Sequence, residues 1–263
     1  MDELVVSKDL DRLLRGLRLG QMRHTLPERA AMAKQSHLSH LGFLQVVLED
    51  ESARRDNVSA GQRALKAGLD RSMRADLWQD LSDLSYDRQV WSDLLMLPFV
   101  ESTANVLVLG PVGVGKTHLA TALGLIAVRR RVPTVFYRAD KLFHRLRAAR
   151  LDNTLHGEIR RLSTIGLLLI DDFALRMMDE TSTSDFYELV VERHGRYPMI
   201  ITSNRDPSEW IGQMSDTLLA QAAVDRLTAG AHVLIVDGPS YRQRHAATPV
   251  GRVDQKGRMG DAL

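Results

Sequence analysis

The chain has 263 residues, of which 44% are hydrophobic and 26% are charged, and its formal net charge is +2. This length suits one large domain or a core with an appended module, and the hydrophobic fraction is enough for a sizeable core. The absence of cysteine excludes disulfide bonds and thiolate chemistry. The first residues lack the apolar run of a signal peptide, and no apolar stretch is long enough to span a bilayer. We therefore expect a cytoplasmic protein that makes no membrane contact.

Residues 1–66 are helical in pattern, and we expect them to form a small all-α domain that binds DNA or a partner. Leucines recur at helical spacing from Leu10 to Leu17 and from Leu41 to Leu48, and Ser39 is a predicted N-cap. Because basic and acidic residues alternate, the charges fit a solvated helix face as well as a DNA-binding surface. The basic candidates here are Arg12, Arg15, Arg18, Arg23, Arg54, Arg55 and Arg63.

Residues 67–103 are expected to form a connector of two amphipathic pieces that pack on the core, with Pro98 ending the helical pattern. The aromatic residues of this connector are predicted to be packing anchors rather than cofactor ligands. The apolar anchors are Trp78, Leu81 and Leu84 in the first piece and Trp91, Leu94 and Leu95 in the second.

Strand and helix patterns alternate between residues 104 and 245, which predicts an α/β core with a parallel sheet and crossover helices. Residues 246–263 are polar and rich in glycine, so we expect a disordered tail. The predicted strands are 106–109, 134–137, 166–170, 198–202 and 232–236, and the predicted helices are 116–130, 140–162, 183–194 and 206–228.

The segment from Gly110 to Thr117 matches the phosphate-binding pattern G-x-x-x-x-G-K-[ST] at every specified position. It lies between a predicted strand and a predicted helix, where backbone N–H groups and the helix N-terminus can hold phosphate oxygens. In this interpretation Lys116 contacts the β- and γ-phosphates of ATP, and Thr117 binds Mg²⁺. The alternative is a glycine-rich turn with a chance Lys-Thr pair. The predicted nucleotide-binding residues are Gly110, Pro111, Val112, Gly113, Val114, Gly115, Lys116, Thr117 and His118.

Polar residues follow two later strands of the predicted sheet. Asp171 and Asp172 end an apolar strand, where the first carboxylate can hold Mg²⁺ and the second can orient or deprotonate the attacking water. Asn204 follows the next strand, where its amide can bond the water or the γ-phosphate. The structural alternatives are a strand that runs into a turn and a turn-forming asparagine.

These motifs together resemble the AAA+ family of P-loop ATPases, and the chain is similar to its DnaC/IstB branch in particular. The likeness covers about residues 8–245, and it implies a P-loop AAA+ core, a parallel sheet flanked by helices, with a small all-α N-terminal domain. The stretches that carry it are 41–55, 64–67, 113–120, 171–173, 202–205 with Trp210, 225–227 and 240–242.

IstB-type proteins are ATPase helpers of insertion-sequence transposases. The resemblance therefore implies ATP hydrolysis with Mg²⁺, largely sequence-independent binding of duplex DNA, assembly into a homo-oligomer, and stimulation of a cognate transposase. A DnaC-like loader of a replicative helicase uses the same core and is the first alternative. A degenerate P-loop scaffold that binds nucleotide without turnover is the second.

The resemblance also implies roles for individual residues. Asn204 matches sensor 1, Arg226 matches an arginine finger that acts on a neighbouring subunit's ATP, and Arg242 resembles the sensor-2 arginine. A local ion pair between Asp225 and Arg226 is the structural alternative for the finger. Asp172 stands where many relatives carry glutamate. The expected catalytic residues are Lys116, Asp172, Asn204, Arg226 and Arg242.

The segment 138–161 is dense in basic residues. In AAA+ proteins that act on nucleic acids, the helix after the second strand faces the DNA, so the resemblance implies phosphate contacts here. A solvated helix face is the alternative. The DNA-binding candidates are Lys141, Arg145, Arg147, Arg150, Arg160 and Arg161.

Overall fold

The computed structural model describes residues 6–78 and 83–241. Its N-terminal part contains three α-helices, α1 (Lys8–Gly16), α2 (Leu26–Gln35) and α3 (His40–Lys66), with a 3₁₀ turn between the first two. The predicted cap of α3 is confirmed, since the Ser39 hydroxyl accepts a hydrogen bond from the Gly42 N–H at 3.1 Å. A small cluster of Leu14, Met22 and Val47 joins these helices.

Most of the regularly spaced leucines of these helices are exposed. Leu14 is buried, whereas Leu13 and Leu17 are 64% and 69% exposed, and Leu41 on α3 is 79% exposed. The periodicity correctly predicts the helices, but three helices offer too few partners to cover a whole apolar face. The N-terminal part therefore presents apolar side chains to solvent.

The last turns of α3 pack against the rest of the molecule. Arg63 Nε donates to the Val128 carbonyl oxygen at 3.1 Å, and Ala64 and Ala67 are buried in the same cluster as the sheet residues. The predicted boundary between residues 66 and 67 thus lies at the end of a helix that is already anchored to the core.

The connector is only partly helical. Its second amphipathic piece forms α4 (Arg88–Leu95), which buries Trp91 and Leu94. In the first piece, a short 3₁₀ turn at Ala75–Leu77 leads into extended backbone at Trp78, and residues 79–82 lie outside the described ranges. Leu81 lies outside the described residues. Pro98 does not only end a helix, since it also begins α5 (Pro98–Ser102), where its missing N–H is harmless.

The core is a five-stranded parallel sheet, as predicted. Its strands are β1 (Val106–Leu109), β2 (Thr134–Arg138), β3 (Leu167–Phe173), β4 (Met199–Ser203) and β5 (His232–Ile235), in the spatial order β2-β3-β4-β1-β5. The carboxyl ends of β1, β3 and β4 therefore lie side by side in the middle of the sheet, where ligands of open α/β sheets bind.

Six α-helices follow β1 in the part of the chain that the structure describes. They are α6 (Lys116–Arg129), α7 (Ala139–Leu151), α8 (Leu155–Thr164), α9 (Glu180–Arg193), α10 (Pro207–Trp210) and α11 (Thr217–Thr228). The predicted single helices at 140–162 and 206–228 are wrong, because each is divided. Asn153 in left-handed conformation separates α7 from α8, and the Asp216 carboxylate caps a new helix at α11.

Alternate residues of each central strand point to opposite faces of the sheet and to two different cores. Val106 and Val108 pack with α4, α5 and α6, while Leu107 and Leu109 pack on the face covered by α7, α8, α9 and α11. Helices on both faces explain why the strands are almost uninterrupted runs of apolar residues. No helix in the described ranges is long and apolar enough to cross a membrane.

Arg193 is fully buried at the end of α9. Its guanidinium donates to three backbone carbonyl oxygens: Leu162, Ile165 at 2.9 Å and Pro198 at 2.6 Å. Burial lowers its pKa to about 9, which still leaves it charged at neutral pH. This side chain ties the end of α8 and the entry to β4 to α9.

Replacing Arg193 with methionine should lower the free energy of unfolding by about 3 kcal/mol or more, because three carbonyl oxygens lose their donor in the interior. Urea denaturation followed by circular dichroism measures this loss. The control is Arg196→Met, which removes an exposed arginine paired with Glu192 at 3.5 Å and should change stability by about 0.5 kcal/mol or less. Equal midpoints for the two variants would contradict the proposed role of Arg193.

Candidate nucleotide site

The loop between β1 and α6 has the backbone conformation that its glycines allow. Gly110 has a φ of 145°, and a Cβ there would lie 1.9 Å from the Val236 carbonyl oxygen. Gly115 has a φ of 100°, and its Cβ would lie 2.5 Å from ring atoms of Trp78. Other residues cannot adopt this path without moving the neighbouring backbone or the indole ring.

Lys116 begins α6, and its side chain is largely buried. Its ammonium group donates to the Pro111 carbonyl oxygen at 2.7 Å, so the long side chain folds back over the loop. The first backbone N–H groups of α6 have no partner within the helix and open towards the same loop. A cation and a helix N-terminus therefore meet at one point, which is the arrangement that binds phosphate.

Asp171 on β3 joins three elements of the site. It accepts hydrogen bonds from the Thr117 hydroxyl at 2.9 Å and from the Thr202 hydroxyl at 2.6 Å. Burial raises the pKa of the Asp171 carboxyl above its usual value, against the effect of these two hydrogen bonds. The P-loop helix, β3 and β4 are thus held together by one carboxylate.

The Thr117 hydroxyl and the Asp171 carboxylate offer oxygen ligands, and oxygen is what Mg²⁺ prefers in proteins. Their contact gives two hard donors at the position where phosphate oxygens would complete the coordination shell. The residues present therefore fit the predicted metal.

Asp172 lies beside this carboxylate in a strained conformation. Its φ is 55°, and the pairing of β3 with β4 is irregular between Ile170 and Phe173. The Asp172 N–H donates to the Thr202 hydroxyl at 3.0 Å, and its partly exposed carboxylate lies 3.6 Å from the Arg138 guanidinium. The bulge turns this second carboxylate away from the strand and towards the end of β2.

Asn204 comes directly after β4, and its side chain is exposed. Ser203, the residue before it, is paired with Leu109 of β1 and with Phe173 of β3. The predicted sensor therefore lies between the strand that enters the P-loop and the strand that carries the two aspartates. Lys116, Thr117, Asp171, Asp172 and Asn204 are brought together at one edge of the sheet.

Arg226 is not part of this group. The carbonyl oxygens of Arg226 and Leu227 accept from Asn105, which immediately precedes β1, so this end of α11 lies at the opposite edge of the sheet. The four residues of β1 separate the two edges by about 13 Å. The guanidinium donates to the Ala222 carbonyl oxygen at 2.7 Å and lies 5.9 Å from the centre of the Tyr187 ring. Arg242 lies outside the described residues.

Two segments contact the loop in ways that the sequence reasoning did not predict. Trp78 covers Gly115, lies 5.3 Å from the His118 ring and donates its indole N–H to the Tyr86 hydroxyl at 3.1 Å. On the other side, the Tyr241 N–H donates to the Gly113 carbonyl oxygen at 2.9 Å. No fixed spacing relates these residues to the P-loop motif, so the sequence signals were the aromatic residue at Trp78 and the family resemblance of the stretch 240–242.

The predicted DNA-binding residues of 138–161 differ in their surroundings. Four of the six arginines and lysines are paired with carboxylates, whereas Lys141 and Arg160 are exposed and have no ion pair among the described residues. Arg145 and Arg161 share Glu158, Arg147 lies 2.8 Å from Asp179, and Arg150 binds the buried Asp185. Most of the positive charge of this segment is therefore neutralised within the chain.

Most of the arginine candidates of the N-terminal part are similarly engaged, and Arg18 is the exception among the described residues. Arg12, Arg15, Arg23, Arg54 and Arg55 all lie in ion pairs with Asp9, Asp11 or Glu51. Arg63 binds backbone and the Ser59 hydroxyl. The number of arginines in the sequence therefore overestimates the positive charge that an approaching phosphate would meet, because nearby carboxylates offset part of it.

Comparison with known proteins agrees with this site. The family model of IstB-like ATP-binding proteins matches residues 12–248. The chain belongs to this family. An insertion-sequence ATP-binding protein of Mycobacterium tuberculosis is 34% identical over 233 residues, 88% of this chain and 92% of the relative. The ATP-binding protein of insertion sequence IS21 from Pseudomonas aeruginosa is 31% identical over 234 residues, 89% of this chain and 88% of the relative.

Solved structures share the fold of this IstB-like chain. DnaI superimposes with a TM-score of 0.55 at 18% identity, over 64% of this chain and 94% of its own. AMPPCP-bound DnaA from Aquifex aeolicus superimposes with a TM-score of 0.50 at 22% identity, over 65% of this chain and 51% of its own. The predicted P-loop AAA+ fold and the resemblance to IstB proteins are both confirmed.

Asp171→Asn should raise the stability of the chain and at the same time weaken its binding of Mg²⁺. Because burial raises the folded pKa, the folded chain holds this proton more tightly than the unfolded chain, whose value is near 3.8. The stabilisation that the protonated Asp171 carboxyl gives is fully present below about pH 3.8. It is lost as the pH rises through the pKa of Asp171 in the folded chain. At neutral pH in Mg²⁺-free buffer, the neutral amide should therefore unfold at a higher urea concentration than the wild type.

The same variant should lose the Mg²⁺-dependent part of its ATP affinity, because an amide oxygen is a weaker ligand than a carboxylate. Thr117→Ser keeps the hydroxyl and is the matched control for the metal effect. Binding of fluorescent ATP with and without Mg²⁺ measures it. A variant that unfolds earlier than wild type in Mg²⁺-free buffer would show that the two threonine hydrogen bonds outweigh the cost of burial.

Proposed function

We propose that this chain binds and hydrolyses ATP with Mg²⁺, binds duplex DNA largely independently of sequence, and assists a transposase encoded by its insertion sequence. The observation that carries the proposal is the contact of the Thr117 hydroxyl with Asp171 at 2.9 Å, beside Lys116 at the start of α6. A structural glycine turn has no need of a buried carboxylate at this position.

Each residue of the group has a defined part in hydrolysis. Lys116 binds the β- and γ-phosphates, and Thr117 and Asp171 hold Mg²⁺, which when bound neutralises charge on the phosphate oxygens. Asp172 orients or deprotonates the attacking water, and Asn204 fixes the water or the γ-phosphate by hydrogen bonding. The strained backbone at Asp172 supports this role, since such strain concentrates at functional sites.

The transposition role is supported by the relatives, which are ATP-binding proteins of insertion sequences and align with most of this chain. In this proposal residues 104–245 are the ATPase core, residues 67–103 are the connector, and residues 1–66 are a domain for DNA or the transposase. Exposed apolar side chains such as Leu13 and Leu41 suit a protein partner. The helicase-loader alternative rests on the shared P-loop core alone.

Lys116→Ala should abolish ATP binding, because it removes the ammonium group at the phosphate-binding loop. Asp172→Asn should still bind ATP and should lose turnover by about 10²-fold or more, because an amide cannot accept the proton. Nucleotide affinity and phosphate release are measured for both. Asp179→Asn, which changes an exposed carboxylate that caps α9, is the control and should hydrolyse ATP normally. Parental turnover in Asp172→Asn would remove this residue from the proposed mechanism.

Arg226 is proposed to act on the ATP of a neighbouring subunit. Its end of α11 is about 13 Å or more from the loop of its own chain, along β1. No ion pair with Asp225 is formed in the described part of the chain, so the guanidinium is held only by a backbone carbonyl and an aromatic ring. Homo-oligomer assembly would bring it to a second P-loop, where an arginine stabilises charge on the γ-phosphate.

Mixing two inactive proteins tests this arrangement. Arg226→Ala and Lys116→Ala are each expected to lack ATPase activity, the first by about 10³-fold or more. Combined, they should regain part of the activity, because a mixed interface can pair an intact P-loop with an intact arginine. Each inactive variant alone gives the background, and Arg196→Ala mixed with Lys116→Ala shows how much activity an otherwise intact subunit keeps when it is diluted into inactive ones. Absence of recovery in a mixture that demonstrably co-assembles would rule out action in trans.

A further inference from the structure

A polar cleft lies between α3, the start of the connector and the end of α6, and none of the residues assigned to hydrolysis lines it. Its volume is about 580 Å³. Three arginines line it, Arg71 and Arg74 from the connector and Arg129 from α6, together with Asn57 and Ser72. No carboxylate is among the residues that line it, as far as the structure describes the chain.

Two of these arginines keep their charge available. Arg71 and Arg129 are exposed, and neither has an ion pair in the described ranges. Arg74 is paired with Asp76 at 2.6 Å, and Arg129 lies near enough to help lower the pKa of that carboxyl. The cleft therefore has a net positive charge after its internal pairing is counted.

The wall formed by α3 is shaped to admit a guanidinium group. Gly61 faces the cleft, and a Cβ at that position would lie 3.2 Å from Cζ of Arg71. Ala60 and Ala64 are the neighbouring small residues on the same helix. Because Gly61 has no side chain, the Arg71 guanidinium lies against the helix while it stays exposed to solvent.

This environment differs from that of the predicted basic segment 138–161. There, Arg145, Arg147, Arg150 and Arg161 are paired with carboxylates of α8 and α9 or the residue that caps α9. A phosphate that approached them would have to displace an existing partner, whereas at Arg71 and Arg129 it would not. Unpaired arginines in a concave site are the better phosphate ligands.

We infer that the cleft binds phosphate groups of a nucleic-acid backbone. The guanidinium groups of Arg71 and Arg129 donate to phosphate oxygens, and Asn57 supplies a neutral polar contact of the type that positions a duplex without reading its sequence. The inference rests on the DNA binding in the proposed function and gives it a location. Free phosphate or nucleotide carries the same oxygens, and the experiment below separates these sources.

The test is binding of a fluorescein-labelled duplex by fluorescence anisotropy across a series of salt concentrations. The double variant Arg71→Gln/Arg129→Gln should reduce the slope of log K against log salt by about 1.8, or about 0.9 for each lost phosphate contact. Its affinity at low salt should fall by about tenfold or more. Arg176→Gln/Arg196→Gln removes the same charge elsewhere and should leave both the slope and the affinity close to wild type.

A second pair of variants tests the cleft without removing an arginine. Gly61→Glu introduces a carboxylate next to Arg71, and Gly61→Gln introduces a neutral side chain of the same size. Both suit a helix better than glycine does. The glutamate should weaken duplex binding several-fold more than the glutamine, because only the glutamate offers Arg71 an internal ion pair.

Pyrophosphate titrated calorimetrically into Lys116→Ala, which lacks the P-loop cation, distinguishes the sources. Weak or absent binding of pyrophosphate together with strong duplex binding supports a backbone site. Tight binding of pyrophosphate that is lost in Lys116→Ala/Arg71→Gln/Arg129→Gln, without a change in duplex affinity, would overturn it in favour of a free anion.

Failure of the inference and failure of the proposed function give different results. If the wild type binds duplex with a steep salt slope and Arg71→Gln/Arg129→Gln does the same, the cleft is excluded and DNA binding stands. If the wild type does not bind duplex even at low salt, with or without ATP, the DNA-binding function itself is excluded, and the cleft with it.

Discussion

The candidate site depends on one buried carboxylate. Asp171 accepts hydrogen bonds from Thr117 on the P-loop helix and from Thr202 on β4, and it belongs to β3 itself. The same Thr202 hydroxyl accepts from the Asp172 N–H, which fixes the position of the second carboxylate. Hydrogen bonds through Asp171 therefore fix the positions of α6, β3 and β4 relative to one another. The cost is a charge held in the interior, which the fold tolerates where a divalent cation would offset it.

The sequence predicted this centre well because its residues belong to short motifs at the ends of strands. A run of apolar residues on each side of Gly110–Thr117 determines that the loop joins a strand to a helix, and the parallel order brings Asp171 and Asn204 to the same edge. These signals are local in the sequence. The parallel strand order then places the residues that carry them close together in space. The same reasoning found all five strands.

Other features could not be predicted because they depend on residues far apart in the chain. Arg147 and Arg150 look like free cations in sequence, but their partners Asp179 and Asp185 are 32 and 35 residues away on the opposite side of β3 in chain order. The exposure of Leu13 and Leu41 depends on how few helices surround them. Helix periodicity reports neither property, so neither the pairing of these arginines nor the exposure of these leucines could be read from the sequence.

The contact between Trp78 and Gly115 places an intrinsic fluorophore against the candidate nucleotide site. The chain has three tryptophans, and the other two, Trp91 and Trp210, are 7% and 0% exposed in separate parts of the core. Trp78 alone lies against the P-loop, with the imidazole of His118 at 5.3 Å as a potential quencher. Changes at the phosphate-binding loop therefore reach an intrinsic fluorophore directly, and no label has to be attached to the protein to follow them.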